Sequence, residues 1–168
     1  ADVIIGTAIA YIVVRTTLPG RQLLDHMVTV ALAMPGLVLG IGYLRTFKGI
    51  ELPFGGGALT ASWLIFVLAY TVRRLPYALR SCMSALTQLH PSLEEAAITL
   101  RASPWRAFRH VTLPLLAPGL ANAFLVTFIE SLADFGNPLL LGGNLEVLST
   151  AIYFAVVGVR QDIGRAAV

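Results

Sequence analysis

The sequence predicts an all-α protein whose helices form a polytopic transmembrane bundle, and three observations carry that expectation. The 168 residues are 57% hydrophobic and 12% charged, with a mean hydropathy of +0.78, whereas soluble domains average about 25% charged residues. The apolar residues gather in runs, 3–14, 27–44, 59–72 and 115–133, separated by segments rich in Pro, Gly and Arg, as expected of membrane helices joined by turns. One long polar stretch, Pro91 to Pro114, interrupts them and has the marks of two short helices.

Val3 to Val14 reads as the tail of a membrane helix ending at Arg15. Its length of about 18 Å falls short of a hydrocarbon core of about 30 Å. Thr17-Leu18-Pro19-Gly20 is a turn, because proline presets φ and glycine permits positive φ. Arg21 to His26 leads into a second span, Met27 to Leu44. Pro35 inside it removes a backbone hydrogen bond, so a kink is expected, and glycines 36, 40 and 42 permit close helix packing. Arg45 to Gly57 reads as a loop; its Gly55-Gly56-Gly57 is a flexible turn rather than a phosphate cradle, since no Lys-Ser/Thr follows.

The third span starts at Leu59 and has to run to about Leu79 to cross, carrying Arg73-Arg74 near the interface, where long basic side chains snorkel. Arg80 to His90 leads into the polar stretch. Leu115 to Ala133 is the next span, kinked near Pro118-Gly119. Asp134 to Asn144 is a Gly/Pro-rich connection, and Leu148 to Val157 is too short to cross and suits a half-buried helix. The short first run, and a last segment from Gly164 to Val168 that stops as an apolar run begins, read as cut ends of a longer chain.

Within the polar stretch, Ser92 and Glu95 have the spacing of a capping box, each side chain reaching the other's backbone amide. Leu93, Ala96, Ala97 and Leu100 recur at helical spacing, with Glu94, Glu95 and Thr99 beside them. A break follows at Arg101-Ala102, and Ser103-Pro104 restarts a helix with a capping hydroxyl and proline at the first position. Trp105, Phe108 and Val111 give this second helix an apolar side and Arg106 and Arg109 a basic one, with a boundary or kink expected at Pro114. Such a surface is too polar for lipid and too apolar for water alone. It either meets a partner or lies on the bilayer as an amphipathic hairpin.

Glu95-Ala96-Ala97, three further residues, a turn position at Arg101, nine more residues and then Val111-Thr112-Leu113-Pro114 resembles the EAA loop of ABC-importer permeases, whose pattern is E-A-A, x3, G, x9, I-x-L-P. In that family the loop is the coupling helix seated in a cleft of a cytoplasmic ATPase subunit. The resemblance therefore implies coupling roles for Glu95, Ala96, Ala97, Arg101, Val111, Leu113 and Pro114. One departure stands out: the family's glycine falls on Arg101, so that either the turn is strained or it is reshaped to let the guanidinium reach a partner.

Arg15-Thr16-Thr17-Leu18-Pro19-Gly20-Arg21, the stretch Glu130 to Pro138, Leu141-Gly142-Gly143 and Thr150-Ala151-Ile152-Tyr153 are similar to ferric-iron-type importer permeases. Permeases for thiamine, phosphonates, polyamines, sulfate and molybdate are similar too. The resemblance implies a type I importer (MetI-like) fold and one permease domain over 1–168, with its coupling loop at about 91–114. It also implies a homologous second half, fused or separate, cytoplasmic ATPase subunits, a periplasmic or surface solute-binding protein, and a place among the lipids of a bacterial inner membrane. Ferric iron is the expected cargo.

The basic residues agree with that orientation. With the coupling loop in the cytoplasm, that side holds Arg15, Arg21, Arg73, Arg74, Arg80, Arg101, Arg106 and Arg109, and the outer side only Arg45, Lys48, Arg160 and Arg165. The net charge of +3 thus follows topology and does not point to nucleic acid. No GxxxxGK[ST] motif occurs, so ATP is expected on the partner subunit and no cofactor on this chain. No HExxH, GxSxG or His/Cys cluster argues for an enzyme or a metal site, and the single Cys82 reads as a packing residue. His26, His90 and His110 are scattered near the expected cytoplasmic interface. Glu130 and Asp134, at i and i+4 near the outer end of a span, are the candidates for lining a pathway, where two acids on one face would attract a cation; simple hydration at the interface is the alternative. A passive pore with a partner-binding loop is the reading from another class.

Overall fold

Helix formers and their breakers set the order of elements. The computed structural model describes residues 1–51, 58–141 and 147–157, and their regular structure is helical apart from one isolated bridge, Glu51 to Ala58. The helices are α1 (Asp2–Arg15), α2 (Arg21–Ala33), α3 (Gly36–Thr46), α4 (Trp63–Gln88), α5 (Ser92–Thr99), α6 (Pro104–Ala107), α7 (Leu113–Leu132), α8 (Gly136–Leu141) and α9 (Leu148–Val157). The Gly55-Gly56-Gly57 turn, Gly142-Gly143 and the segment from Gly158 onward, with Arg160 and Arg165, lie outside the described residues.

Several boundaries differ from those expected. Met27 to Leu44 is not one kinked span but the separate helices α2 and α3, bent by 106°. Pro35 has no N–H to continue α2 and disfavours helical φ/ψ at Met34. α4 continues through Pro76 to Gln88, beyond the expected end at Leu79, a length of about 39 Å. No break occurs at Pro114, and Pro104–Leu132 runs as one 29-residue helix. Phe108–Thr112 is a π-helical turn in which the Leu113 N–H donates to Phe108 O, five residues back. The wider turn makes room for the Pro114 ring, which cannot donate a hydrogen bond of its own. Residues Gly136–Leu141 form α8 where an irregular connection was expected, whereas α9 has the predicted bounds.

Among the described residues, Pro104–Leu132 is the helix long and apolar enough to cross a membrane unaided, and α2 with α3 passes the same test only as a bent pair. Phe124, Leu125, Phe128 and Ile129 are each at least half exposed, as suits a helix that meets lipid or another subunit.

The described residues fall into two compact units. The first comprises Ala1–Thr29 and Arg74–Phe128. Its core is Ala10, Leu79, Cys82, Leu86, Leu116 and Ala123. Small residues let its helices approach: a Cβ on Gly6 would lie 3.1 Å from Ala78 Cβ, and one on Gly119 would collide with Ala85 Cβ. Cys82 is buried with its sulfur 3.4 Å from Thr7 Oγ1, the packing role its isolation suggested. Gly20 turns at φ +84°, as the Pro19-Gly20 pair requires. Arg74 does not snorkel; it is 3% exposed.

The second unit comprises Val30–Arg73 and Ile129–Val168. Here α3 packs on α8, and Ile65, Ala69 and Leu141 form the core with Tyr43, Leu44, Phe47 and Phe66 against it. A Cβ on Gly40 would lie 2.9 Å from Leu140 Cδ1, and one on Gly136 3.2 Å from the Leu37 backbone. The Met34 carbonyl, without a helical donor at the α2–α3 break, accepts from Arg73 Nη1 at 2.9 Å. Arg73 is therefore used within the protein rather than extended toward an interface.

Candidate functional site

The polar helix pair is built much as its sequence dictates, with one exception at its start. α5 begins at Ser92 without a side-chain cap, and the Ser92 hydroxyl lies 2.8 Å from His90 Nδ1 instead. The capping box does not form, because Ser92 is already inside the helix and Pro91 occupies the cap position. The end of α5 is a Schellman motif: Ala102 N donates to Ala97 O at 3.0 Å and Arg101 N to Ile98 O at 2.9 Å. That motif places residue C′ in the left-handed region, and C′ is Arg101, with φ +66°, the single positive-φ non-glycine residue among those described. The turn thus keeps the conformation a glycine would favour, at a cost of about 1 kcal/mol for an arginine. Ser103 then caps α6 through its Oγ, which accepts from Arg106 N at 3.3 Å, and Pro104 takes the first helical position.

This element presents an apolar edge. Leu100 is 84% and Trp105 67% exposed, with Leu93 and Ile98 also exposed; Trp105, on the apolar side of the second helix, faces outward and stacks on Phe108 with ring centroids 5.6 Å apart. Phe108 in turn meets the Tyr11 ring edge-on at 5.1 Å. Glu95 and Ala96 are exposed, Ala97 and Val111 half-buried, and Leu113 and Pro114 exposed.

Glu94, adjacent to the motif's Glu95, has three side-chain partners. Its Oε1 accepts from Thr112 Oγ1 at 2.7 Å and lies 3.6 Å from Arg15 Nε, while Oε2 accepts from Tyr11 Oη at 3.3 Å. Arg15 also donates through Nη2 to Leu89 O at 2.6 Å and Leu86 O at 3.2 Å, carbonyls at the end of α4. The sequence reading missed this cluster. The available signal was a second acid where the motif needs one, and an arginine closing an apolar run.

Glu130 and Asp134 are not a pair on one helical face. α7 ends at Leu132, so the four-residue spacing no longer aligns them. Glu130 is half-buried in the last turn of α7. Asp134 is 6% exposed and accepts from Asn137 Nδ2 at 2.9 Å and Asn137 N at 3.4 Å, with Arg73 Nε 4.0 Å away. A groove of about 550 Å³ in the first unit is lined by Arg80, Ser81, Ser84, Gln88 and Asn122 together with Pro118 and Gly119. Ala85, Leu89 and Leu115 complete its lining, so the groove is about half apolar. No group of His, Cys, Asp and Glu that could hold a metal occurs among the described residues.

The fold and the site thus comprise an apolar helix assembly carrying an exposed amphipathic helix pair. The chain belongs to the family of binding-protein-dependent transport system inner membrane components, whose family model matches residues 3–157. These are permease subunits of type I ABC importers and are not themselves enzymes. The chain is 40% identical over 131 residues to FbpB 1 of Haemophilus influenzae, provisionally named a ferric transport system permease protein, covering 77% of this chain and 21% of that one. It is 33% identical over 159 residues to the sulfate transport system permease protein CysT of Escherichia coli, covering 89% and 57%. Identity to the molybdenum transport system permease protein ModB of Escherichia coli is 36% over 165 residues, covering 95% and 72%. The chain therefore spans only part of the length of the first two.

Proposed function

We propose that this chain is a permease domain of an ATP-driven importer in a bacterial inner membrane, forming part of the translocation pathway and passing the closure of a cytoplasmic ATPase to its membrane helices. The observation that carries this reading is the exposed apolar edge of α5 and α6, set at the spacing of the coupling motif and left uncovered by the described residues. Glu95, Ala96, Ala97 and Arg101 form the docking element, with Val111, Leu113 and Pro114 leading into the long helix. ATP is bound by the partner subunits, and a second permease half and a solute-binding protein complete the assembly.

Ferric iron is the cargo we propose. The reading is supported by the higher identity to relatives named for ferric transport, 40% over 131 residues and 52% over 82 in FbpB of Actinobacillus pleuropneumoniae, than to those named for sulfate and molybdenum, 33% and 36%. Glu130, half-buried in the last turn of α7, and Asp134, engaged with Asn137 and Arg73, are the pathway candidates we propose.

Reconstitution of the full-length permease with its ATPase and binding protein in proteoliposomes tests both statements. Uptake of radiolabelled iron that depends on ATP is the expected result; uptake of sulfate or molybdate without iron would replace the cargo. Ala97→Trp, which overpacks a helix seated in a groove by about 1–3 kcal/mol, should leave membrane insertion intact and uncouple hydrolysis from transport. Undiminished transport in that variant would refute the docking role.

A further inference from the structure

We propose that Glu94, rather than the motif's Glu95, is the positioning residue that ties the coupling helix to the membrane helices, an inference that rests on the importer reading above. α5 has no buried residue of its own, so apolar packing gives it little grip on the helices it would have to move. Its firm attachment is polar. One carboxylate collects the Thr112 hydroxyl of the π-turn, the Tyr11 hydroxyl of α1 and the Arg15 guanidinium. Arg15 carries the attachment on to the last carbonyls of α4.

Three elements, α1, α5 and the π-turn leading into α7, therefore meet at the Glu94 side chain, and Arg15 links them to the end of α4. The site is largely withdrawn from solvent, with side-chain exposures of 10% for Arg15 and 17% for Glu94, and Thr112 is 1% exposed. Charge-assisted hydrogen bonds in such surroundings are strong and directional, whereas apolar contacts between helices allow sliding. The two adjacent acids then divide the work. Glu95, exposed, is free to meet the ATPase, and Glu94 holds the element to its own chain.

The test compares uptake per ATP hydrolysed in the reconstituted transporter for wild type, Glu94→Ala, Glu94→Gln and Thr112→Val. Glu94→Ala should assemble with the ATPase yet lower the ratio by at least about tenfold, the scale of losing hydrogen bonds to a charged group. Glu94→Gln, which can still accept from Thr112, should fall between it and wild type, as a purely steric role would not require. A wild-type ratio in Glu94→Ala overturns the proposal. Should that variant fail to assemble, the near-isosteric Thr112→Val decides, with a severalfold loss expected and an unchanged ratio refuting the tie. If the wild type hydrolyses ATP but moves no iron, the cargo reading fails separately. Stimulation of hydrolysis by the binding protein then serves as the readout, expected to drop in Glu94→Ala and, if retained in full, fatal to the tie.

Discussion

Glu94 and Asp134 are both carboxylates set beside an arginine, one in each compact unit, yet the partners that complete each site come from different distances along the chain. Glu94 is satisfied by Tyr11 and Arg15, some eighty residues earlier, and by Thr112, eighteen later. Asp134 is satisfied first by Asn137, three residues on, through both its side-chain and backbone nitrogens. Ser149 adds a 2.6 Å bond to the Asp134 backbone carbonyl, and Arg73 stands at 4.0 Å. The first arrangement binds separate helices into one moving part. The second latches the start of a short helix, α8, and fixes a loop. Burial and a sequence-distant arginine are common to both sites; what differs is that hydroxyls from two other elements reach Glu94, whereas the Asn137 amide that reaches Asp134 is three residues on.

The largest effect is expected at Asp134. Asp134→Ala strands the buried Asn137 amide and the Arg73 charge, and should destabilise the protein by about 2–3 kcal/mol, seen as a lower unfolding temperature in detergent. Its uptake per ATP should stay near wild type in whatever fraction remains folded. A coupling defect in folded Asp134→Ala protein would show that the lock transmits too.

A smaller effect separates the two units by their glycines. Gly119→Ala forces a new Cβ onto Ala85 Cβ, which cannot turn aside, and should cost about 2 kcal/mol. Gly40→Ala meets chiefly the far end of Leu140, a side chain able to change rotamer, and should cost less than about 1 kcal/mol. Thermal unfolding of both variants checks the order, and equal costs would mean that the helix around Gly119 can shift. The smallest expected change is a gain. Arg101→Gly relieves the positive φ and should stabilise assembly by about 1 kcal/mol, with transport unchanged; a large loss of transport would show that the guanidinium makes a required contact.

The sequence made the helical class, α9, the Pro19-Gly20 turn and the Ser103 cap readable, because each depends on local chemistry: hydrophobic runs, proline and glycine dihedrals, a hydroxyl beside a helix start. It also located the left-handed position at Arg101, through the motif's glycine. It misplaced what depends on distant contacts. Arg73 looked like an interfacial residue because nothing in its neighbourhood reveals the Met34 carbonyl it caps. Glu130 and Asp134 looked paired because nothing local reveals that α7 ends at Leu132, before a buried Asp134. Glu94 was overlooked because its arginine is far away in the chain.

The π-turn has a consequence for angular register. The buried positions along the long helix are Ala107, Thr112, Leu116, Ala123 and Thr127, a step of five followed by steps of four, seven and four. In an uninterrupted α-helix the residue four beyond Ala107 would share its face, and that residue is Val111. The added residue in the turn advances the helix so that a threonine hydroxyl, not a valine, arrives beneath Glu94. The same residues wound as an unbroken α-helix would have the same hydropathy profile. The coupling end would nevertheless be turned by about 100° relative to the span, with the aliphatic Val111 facing the carboxylate.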